Sequence, residues 1–270
     1  MTTETVDKID LENKVKEMYR LVANEPMGKY HFEMGRALAE RLGYSPAILD
    51  TIPADSIESF AGVGYYFRLA NISPTSKILD LGSGSGMDVF YAASQLNEFG
   101  SVTGVDMSID QLAKASKIAG ENGYKNVRFV EGYLDNLPFA DETFDTIISN
   151  GVINLCADKQ KVFSEAARVL RPGGQLILAD IVSRDILPDS IVCNSSLWAA
   201  CIGGAKQEDI YQDMIRLAGF TIARYEDNDE YAFISNDALG ATTRYGVKSS
   251  SLLATKTGFN NYPSSVWNRN

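Results

Sequence analysis

The sequence predicts an α/β protein: a doubly wound, mostly parallel sheet with helices on both faces, preceded by a helical cap. Two observations carry this. From Lys77 onward, short apolar runs alternate with amphipathic stretches, and strand alternating with helix marks a parallel sheet covered on both sides. Before that point the apolar residues keep helical spacing and no strand pattern is present.

The cap is placed at residues 1–71. Leu11, Val15, Met18, Tyr19 and Val22 recur at spacings of three and four, one apolar helix face, and Pro26 ends the pattern. A second helix is expected from about Phe32 to Leu42, stopped by Gly43. Pro46 opens a short third one, and Pro53 with Asp55 forms a turn before another. The cap has no strands of its own and is expected to lie on the next domain and contribute to a substrate pocket. That domain, residues 72–256, carries strands at Lys77–Leu81, Ser101–Val105, Val127–Val130, Phe144–Ser149 and Gly174–Ala179. Helices are expected at Met87–Asn97, Ile109–Asn122 and Lys159–Leu170. A helix-rich, lid-like insertion over about residues 184–207 leads to a helix at Ile210–Ala218. A strand at Phe220–Tyr225 and a last strand at Val247–Thr255, read as antiparallel, complete the sheet. The tail, residues 257–270, is rich in Asn and Ser and expected to be loosely held.

Composition removes several classes of function. The 270 residues hold 25 basic and 35 acidic side chains, a net charge of −10, which argues against a broad phosphate-binding surface and hence against nucleic acid as partner. No stretch approaches the roughly 18 consecutive apolar residues of a membrane helix, and the N-terminus lacks an apolar signal core, so no membrane partner and a cytoplasmic location are expected. Cys156, Cys193 and Cys201 form neither a CxxC pair nor the even set of a secreted disulfide framework. With His31 the only histidine, zinc sites built from several His ligands are excluded, and no G-x-S-x-G elbow accompanies it. No metal is expected.

The chemistry points to Asp80-Leu81-Gly82-Ser83-Gly84-Ser85-Gly86, which follows a strand and opens a helix. Glycines there let the backbone turn sharply and a ligand approach closely. Asp106 ends the next strand, where its carboxylate can accept hydrogen bonds from both hydroxyls of a ribose. A dinucleotide loop reads G-x-G-x-x-G and presents a helix N-terminus to a pyrophosphate. Here the glycines fall at 82, 84 and 86 and follow an acid that repels phosphate and suits an ammonium. A phosphate-free adenosine ligand, S-adenosylmethionine, fits that spacing better than a nicotinamide dinucleotide.

In these motifs the sequence resembles the class I S-adenosylmethionine-dependent methyltransferases. The resemblance also runs through Gly104–Met107, Gly132–Phe139, Asp145–Asn150 and Arg168–Gly174. It implies a Rossmann-like, seven-stranded sheet with an antiparallel last hairpin. It further implies that Asp80, Gly82, Ser83, Gly84 and Gly86 hold the methionine portion and Asp106 the ribose. Met107 would pack on the adenine or in the core, Gly132, Tyr133 and Leu134 would edge the base, and Asn150 would face the sulfonium. The product is S-adenosylhomocysteine.

The chain is most similar to the arsenite methyltransferases and their bacterial relatives, through Ile147–Leu155 and the insertion from Leu187 to Ala205. Arsenic(III) is a soft centre that wants thiolates. Where that family has Gly-Cys-Gly this chain has Gly62-Val63-Gly64, and where it has Ser-Asn-Cys this chain has Ser149-Asn150-Gly151; only Cys201 matches. A small organic acceptor is therefore expected, with arsenite methylation through Cys201 and a non-catalytic partner subunit as alternatives. Tyr65, Tyr66 and Phe67, with Gly151 and Trp198, are candidate pocket walls; the three aromatics are equally suited to core packing. His31 and Tyr65 are candidate bases if a hydroxyl is methylated, and a structural histidine is the alternative for His31.

Overall fold

The structure is a computed structural model and describes residues 7–26, 28, 30–69, 71–194, 198 and 202–257. The cap opens with α1 (Lys8–Asn24), whose first turn is capped by the Asp7 carboxylate accepting from the Ile9 and Asp10 N–H groups. Its apolar face buries Leu11, Val15, Val22 and Ala23. Helix α2 (Arg36–Leu42) begins later than the expected Phe32, because Gly35 has φ +82° and its N–H is taken by the Phe60 carbonyl at 2.8 Å. Two short helices follow, α3 (Pro46–Leu49) and α4 (Ala54–Glu58).

The sheet is built from β1 (Lys77–Leu81), β2 (Ser101–Asp106), β3 (Val127–Glu131), β4 (Phe144–Asn150), β5 (Leu170–Ser183), a two-residue β6 (Lys206–Gln207), β7 (Phe220–Asp227) and β8 (Val247–Lys256). Its order is β3-β2-β1-β4-β5-β8-β7, with β6 added on β5. The strands from β3 across to β5 are parallel, and β8 runs antiparallel to both β5 and β7. This is the seven-stranded sheet with an antiparallel last hairpin that the resemblance implied, plus β6. Strand β5 starts before the expected Gly174, with a register shift between Phe144↔Leu170 and Thr146↔Gln175.

Crossover helices α5 (Met87–Ala93), α6 (Ile109–Glu121) and α7 (Lys159–Val169) join the parallel strands. Further on come α8 (Asp189–Val192), α9 (Glu208–Leu217) and α10 (Asn236–Tyr245). Helix α10 was not expected, although Ser235 caps its start and Gly246, at φ +62°, ends it. Alternation along the strands splits the core. Ile78, Ile148, Ile177 and Ile181 pack with α5 and the cap, whereas Leu79, Ile147, Leu176 and Leu178 pack with α7 and α9. No described helix is long and apolar enough to cross a membrane.

Strand β1 lies between β2 and β4, so the chain leaves it in one direction and later returns on the other side. Loops at the carboxyl ends of β1 and β4 therefore diverge and leave a crevice, the place where open α/β sheets take ligands.

Candidate active site

A cavity occupies that crevice. Its floor is the β1 end and the loop after it, Asp80 and Gly82–Asp88. One side is formed by Asp106–Ser108 and Gly132–Asp135, another by Asn150, Val152 and Leu155–Asp158. The cap closes it with Val15 and Tyr19 of α1 and with Ser59–Gly62. Lys8 and Lys16 lie at the lip, where the Lys8 ammonium meets the Asp135 carboxylate at 2.6 Å and the Lys16 ammonium donates to the Tyr133 hydroxyl at 2.5 Å.

The loop geometry follows from its glycines. Gly84 has φ +51°, and a Cβ there would meet only Gln111 Oε1 at 3.8 Å, so its backbone faces open cavity. The Gly82 and Ser83 N–H groups donate to the Val105 carbonyl at 2.8 and 3.1 Å, tying the loop to β2. Asp106 completes the tie: its carboxylate accepts from the Gly84 N–H at 2.9 Å and the Ser108 N–H at 2.8 Å. Each oxygen keeps acceptor capacity for a ligand hydroxyl. Burial pushes the Asp106 carboxyl upward, against the Ser108, Gly84 and Met107 N–H groups that favour its charged form.

Asp80 differs. It is 2% exposed, and among the described residues nothing donates a hydrogen bond to its carboxylate. Burial first, then the charges of Asp88 and Asp106, holds it well above the usual carboxylate range. A buried, donorless carboxylate in a cavity calls for a cationic ligand group.

Asp88, in the first turn of α5, is a lining residue that sequence reasoning missed. It accepts from the Tyr44 hydroxyl at 2.6 Å, the Tyr66 hydroxyl at 2.9 Å and the Asn150 amide at 3.0 Å. Asn150 also donates to the Gly64 carbonyl at 3.1 Å and accepts from the Val63 N–H at 2.7 Å. This buried junction binds the cap to α5 and β4. The acid two residues past the last loop glycine was the available signal. Tyr19, Phe60, Gln111 and Leu155 also line the cavity, and only the folded cap and crossovers bring them there.

Of the residues singled out from sequence, Asp80, Gly82, Ser83, Gly84, Gly86, Asp106, Met107, Gly132, Tyr133, Leu134 and Asn150 line this one cavity. The candidate pocket and catalytic residues that the structure describes do not join them. Tyr65 packs edge-on against Tyr44 and its hydroxyl lies 3.1 Å from that of Tyr91. Tyr66 is fully buried on Asp88, and Phe67 stacks on Tyr66 with centroids 4.7 Å apart. These aromatics are core between cap and α5, because each ring finds partners there. Gly151 turns at φ +70° with its N–H on the Ala179 carbonyl, away from the lining. Trp198 is 2% exposed beneath the Lys159 ammonium, 4.4 Å from its ring centre, with its indole N–H on the Val192 carbonyl. His31 packs edge-on to Phe32 in the cap, outside the cavity lining. Cys201 lies outside the described residues. Among the described residues the lining thiol is Cys156, which burial pushes up to about 12. Among the described residues no group of three or more His, Cys, Asp or Glu is arranged to hold a metal ion.

This site on this sheet defines a class I S-adenosylmethionine-dependent methyltransferase. The family model for the methyltransferase domain matches residues 72–219, more than half of the chain, and the chain belongs to that family. S-adenosylmethionine is the cofactor that membership brings. The arsenite methyltransferase of Halobacterium salinarum is 37% identical over 199 residues, 73% of this chain and 51% of that protein. The chain thus spans about half the length of the curated relatives it matches. An arsenic(III) S-adenosylmethionine methyltransferase from Chlamydomonas reinhardtii superposes with TM-score 0.61 at 28% identity, over 84% of this chain and 75% of that one. A geranyl diphosphate methyltransferase solved with its substrate and sinefungin shares the fold, with TM-score 0.66 at 17% identity over 92% of this chain and all of that one.

Proposed function

We propose that the chain transfers a methyl group from S-adenosylmethionine to a small organic acceptor. The observation that carries the reading is the buried Asp80 carboxylate, which accepts no hydrogen bond among the described residues, in one cavity with the open backbone of Gly84. In this reading Asp80 and the Gly82–Gly86 loop hold the methionine end, and the Asp106 carboxylate takes the ribose hydroxyls with its remaining lone pairs. Met107 packs on the adenine, Gly132, Tyr133 and Leu134 edge it, and Asn150 stands beside the reacting centre.

Bound there, the cofactor supplies a methyl group already activated on a sulfonium. The protein then has to orient the acceptor and exclude water, which contributes through proximity. Val15, Tyr19, Phe60, Val152 and Leu155 supply an apolar wall for an uncharged acceptor. The cap, residues 1–71, acts as cover on the methyltransferase domain, residues 72–256, and the insertion at about 184–207 as a lid. Calorimetry with S-adenosylhomocysteine and NADH tests the cofactor: the first binds and the second does not. Transfer of labelled methyl into small molecules of a cell extract tests the reaction and separates an enzyme from a non-catalytic partner subunit.

Arsenite is the second reading, favoured by the 37% identity to an arsenite methyltransferase. Against it, Val63 and Gly151 occupy the two positions where that family carries cysteine, and they are neighbours: a Cβ on Gly151 would lie 3.0 Å from Val63 Cγ1. Burial pushes the Cys156 thiol up to about 12, which disfavours a free thiolate there. Thiol-dependent methylation of arsenite, lost on Cys201→Ser, would establish this reading.

A further inference from the structure

Lys159 opens α7 just past the residues that line the cavity, and its side chain is 1% exposed. The ammonium donates to the Cys156 carbonyl at 2.8 Å and lies 4.4 Å from the ring centre of Trp198, in the insertion at about 184–207. Burial lowers it to about 8 while Asp180 pulls it upward, so at neutral pH the group over the indole is mostly cationic. Lysine is almost never fully buried unless it is paired. Its partners here belong to two pieces of chain far apart in sequence.

One piece is the cavity wall. Val152, Leu155, Cys156, Ala157 and Asp158 line the cavity after Asn150, and the carbonyl that holds Lys159 is among them. The Asn154 N–H donates to Asp180 of β5 at 2.9 Å, which ties this wall to the sheet. The other piece is the insertion, which packs on the same wall. A Cβ on Gly204 would run into the Asn154 carbonyl and one on Gly203 into the Trp198 ring, so glycine lets the backbone pass flush against both. Leu155, Trp198, Ile202 and Ala205 are buried in one apolar cluster. Trp198 lies outside the cavity lining, yet a single ammonium joins it to residues that form that lining.

We propose that Lys159 is the positioning residue that fastens the insertion to the wall at residues 152–158, so that the two hold the acceptor end of the cavity as one unit. The inference rests on the methyl-transfer reading above and adds to it a residue that touches neither cofactor nor acceptor. Lys159 acts through the Cys156 carbonyl and the Trp198 ring. Without its charge, insertion and wall part, and the acceptor is held less well in line with the methyl group. The cofactor, held by the loop after β1 and by Asp106, keeps its affinity.

The test uses the full chain carrying Trp267→Phe, which leaves Trp198 as its one tryptophan, and a companion carrying Cys193→Ser and Cys201→Ser, which leaves Cys156 as its one thiol. Lys159→Met keeps the apolar stem and removes charge and donor, and Lys159→Arg restores both. In Lys159→Met, quenching of Trp198 emission by acrylamide should rise. Modification of Cys156 by N-ethylmaleimide should quicken by about tenfold or more, the scale set by losing a charge-assisted hydrogen bond and a desolvated cation–π contact. Affinity for S-adenosylhomocysteine in calorimetry should stay within about threefold. Transfer of labelled methyl into the small-molecule fraction of a cell extract should fall by about tenfold or more. Lys159→Arg should reverse each change, and Trp198→Leu should quicken Cys156 modification as Lys159→Met does, which keeps the test open where the latter does not fold. A folded Lys159→Met with unaltered quenching and thiol reactivity overturns the fastening, and full transfer by that variant overturns the positioning. An indole freely quenched in the parent protein overturns both, whether or not the variants fold. Failure of S-adenosylhomocysteine to bind the parent protein is a different result and removes the cofactor reading itself.

Discussion

Replacing Asp106 by alanine tests the cofactor placement most directly, because the structure separates what the carboxylate does for the fold from what it offers a ligand. Its two oxygens accept one backbone N–H each, from Gly84 and Ser108. Losing them leaves two donors to find water or stay unpaired, a destabilisation of about 1–3 kcal/mol for each one that remains buried. The remaining lone pairs face the cavity, and a hydrogen bond to a charged group contributes about 1.5–3 kcal/mol. S-adenosylhomocysteine should therefore bind roughly 10- to 150-fold more weakly. Calorimetry gives the affinity, and a thermal melt without ligand gives the stability change. Asp106→Asn, which keeps one acceptor, should fall between the two proteins in both. An Asp106→Ala variant that remains folded and binds with unaltered affinity would refute the placement of the ribose at the end of β2.

Gly84→Leu should abolish measurable S-adenosylhomocysteine binding, since the side chain projects into open cavity, while Gly84→Ala should also cost about 1–2 kcal/mol of stability from the left-handed backbone at φ +51°; normal binding by the leucine variant would mean the ligand lies elsewhere. His31→Ala and Tyr65→Phe should leave that affinity within about threefold, because neither side chain lines the cavity, and a larger loss in titration would return them to the site. Asp180, which accepts from Tyr211, Asn154 and Ile181, is raised by burial from the ordinary carboxylate value of 3.8 to about 6. Between those values the folded state binds more protons than the unfolded state, so this group's contribution to stability is present below the lower value and lost as pH rises through the upper one. The melting temperature of Asp180→Asn followed over that window should decline less with pH than that of the unmodified protein, and an equal slope would count against the burial argument.

The parts of this protein legible in sequence are local. Asp80 and the glycines at 82, 84 and 86 sit on one short turn, Asp106 closes the next strand, and Gly132–Leu134 follow the one after, so each faces the crevice once its strand is in place. The alternating strands and crossover helices were readable for the same reason. Helix α10 was overlooked although its caps, Ser235 and Gly246, stand in the sequence, because its apolar positions are sparse: Ala238 and Ala241 are what it buries. The pocket walls went astray at Tyr65, Tyr66 and Phe67, whose size and clustering suit a pocket and a core equally. Their partners, Tyr44 and Tyr91, lie more than twenty residues away on either side, beyond any periodicity.

Sequence by itself determined the class of ligand, since the spacing of a glycine turn and the acid a strand later are properties of consecutive backbone. What faces that ligand across the cavity was decided only by tertiary structure. Asp88 reaches the cavity because Tyr44, Tyr66 and Asn150 hold it there. Among the described residues Asp80 accepts no hydrogen bond, while the lining lysines Lys8 and Lys16 are held by Asp135 and Tyr133. Charges and hydrogen bonds between segments far apart in the chain exist only after the chain has closed on itself.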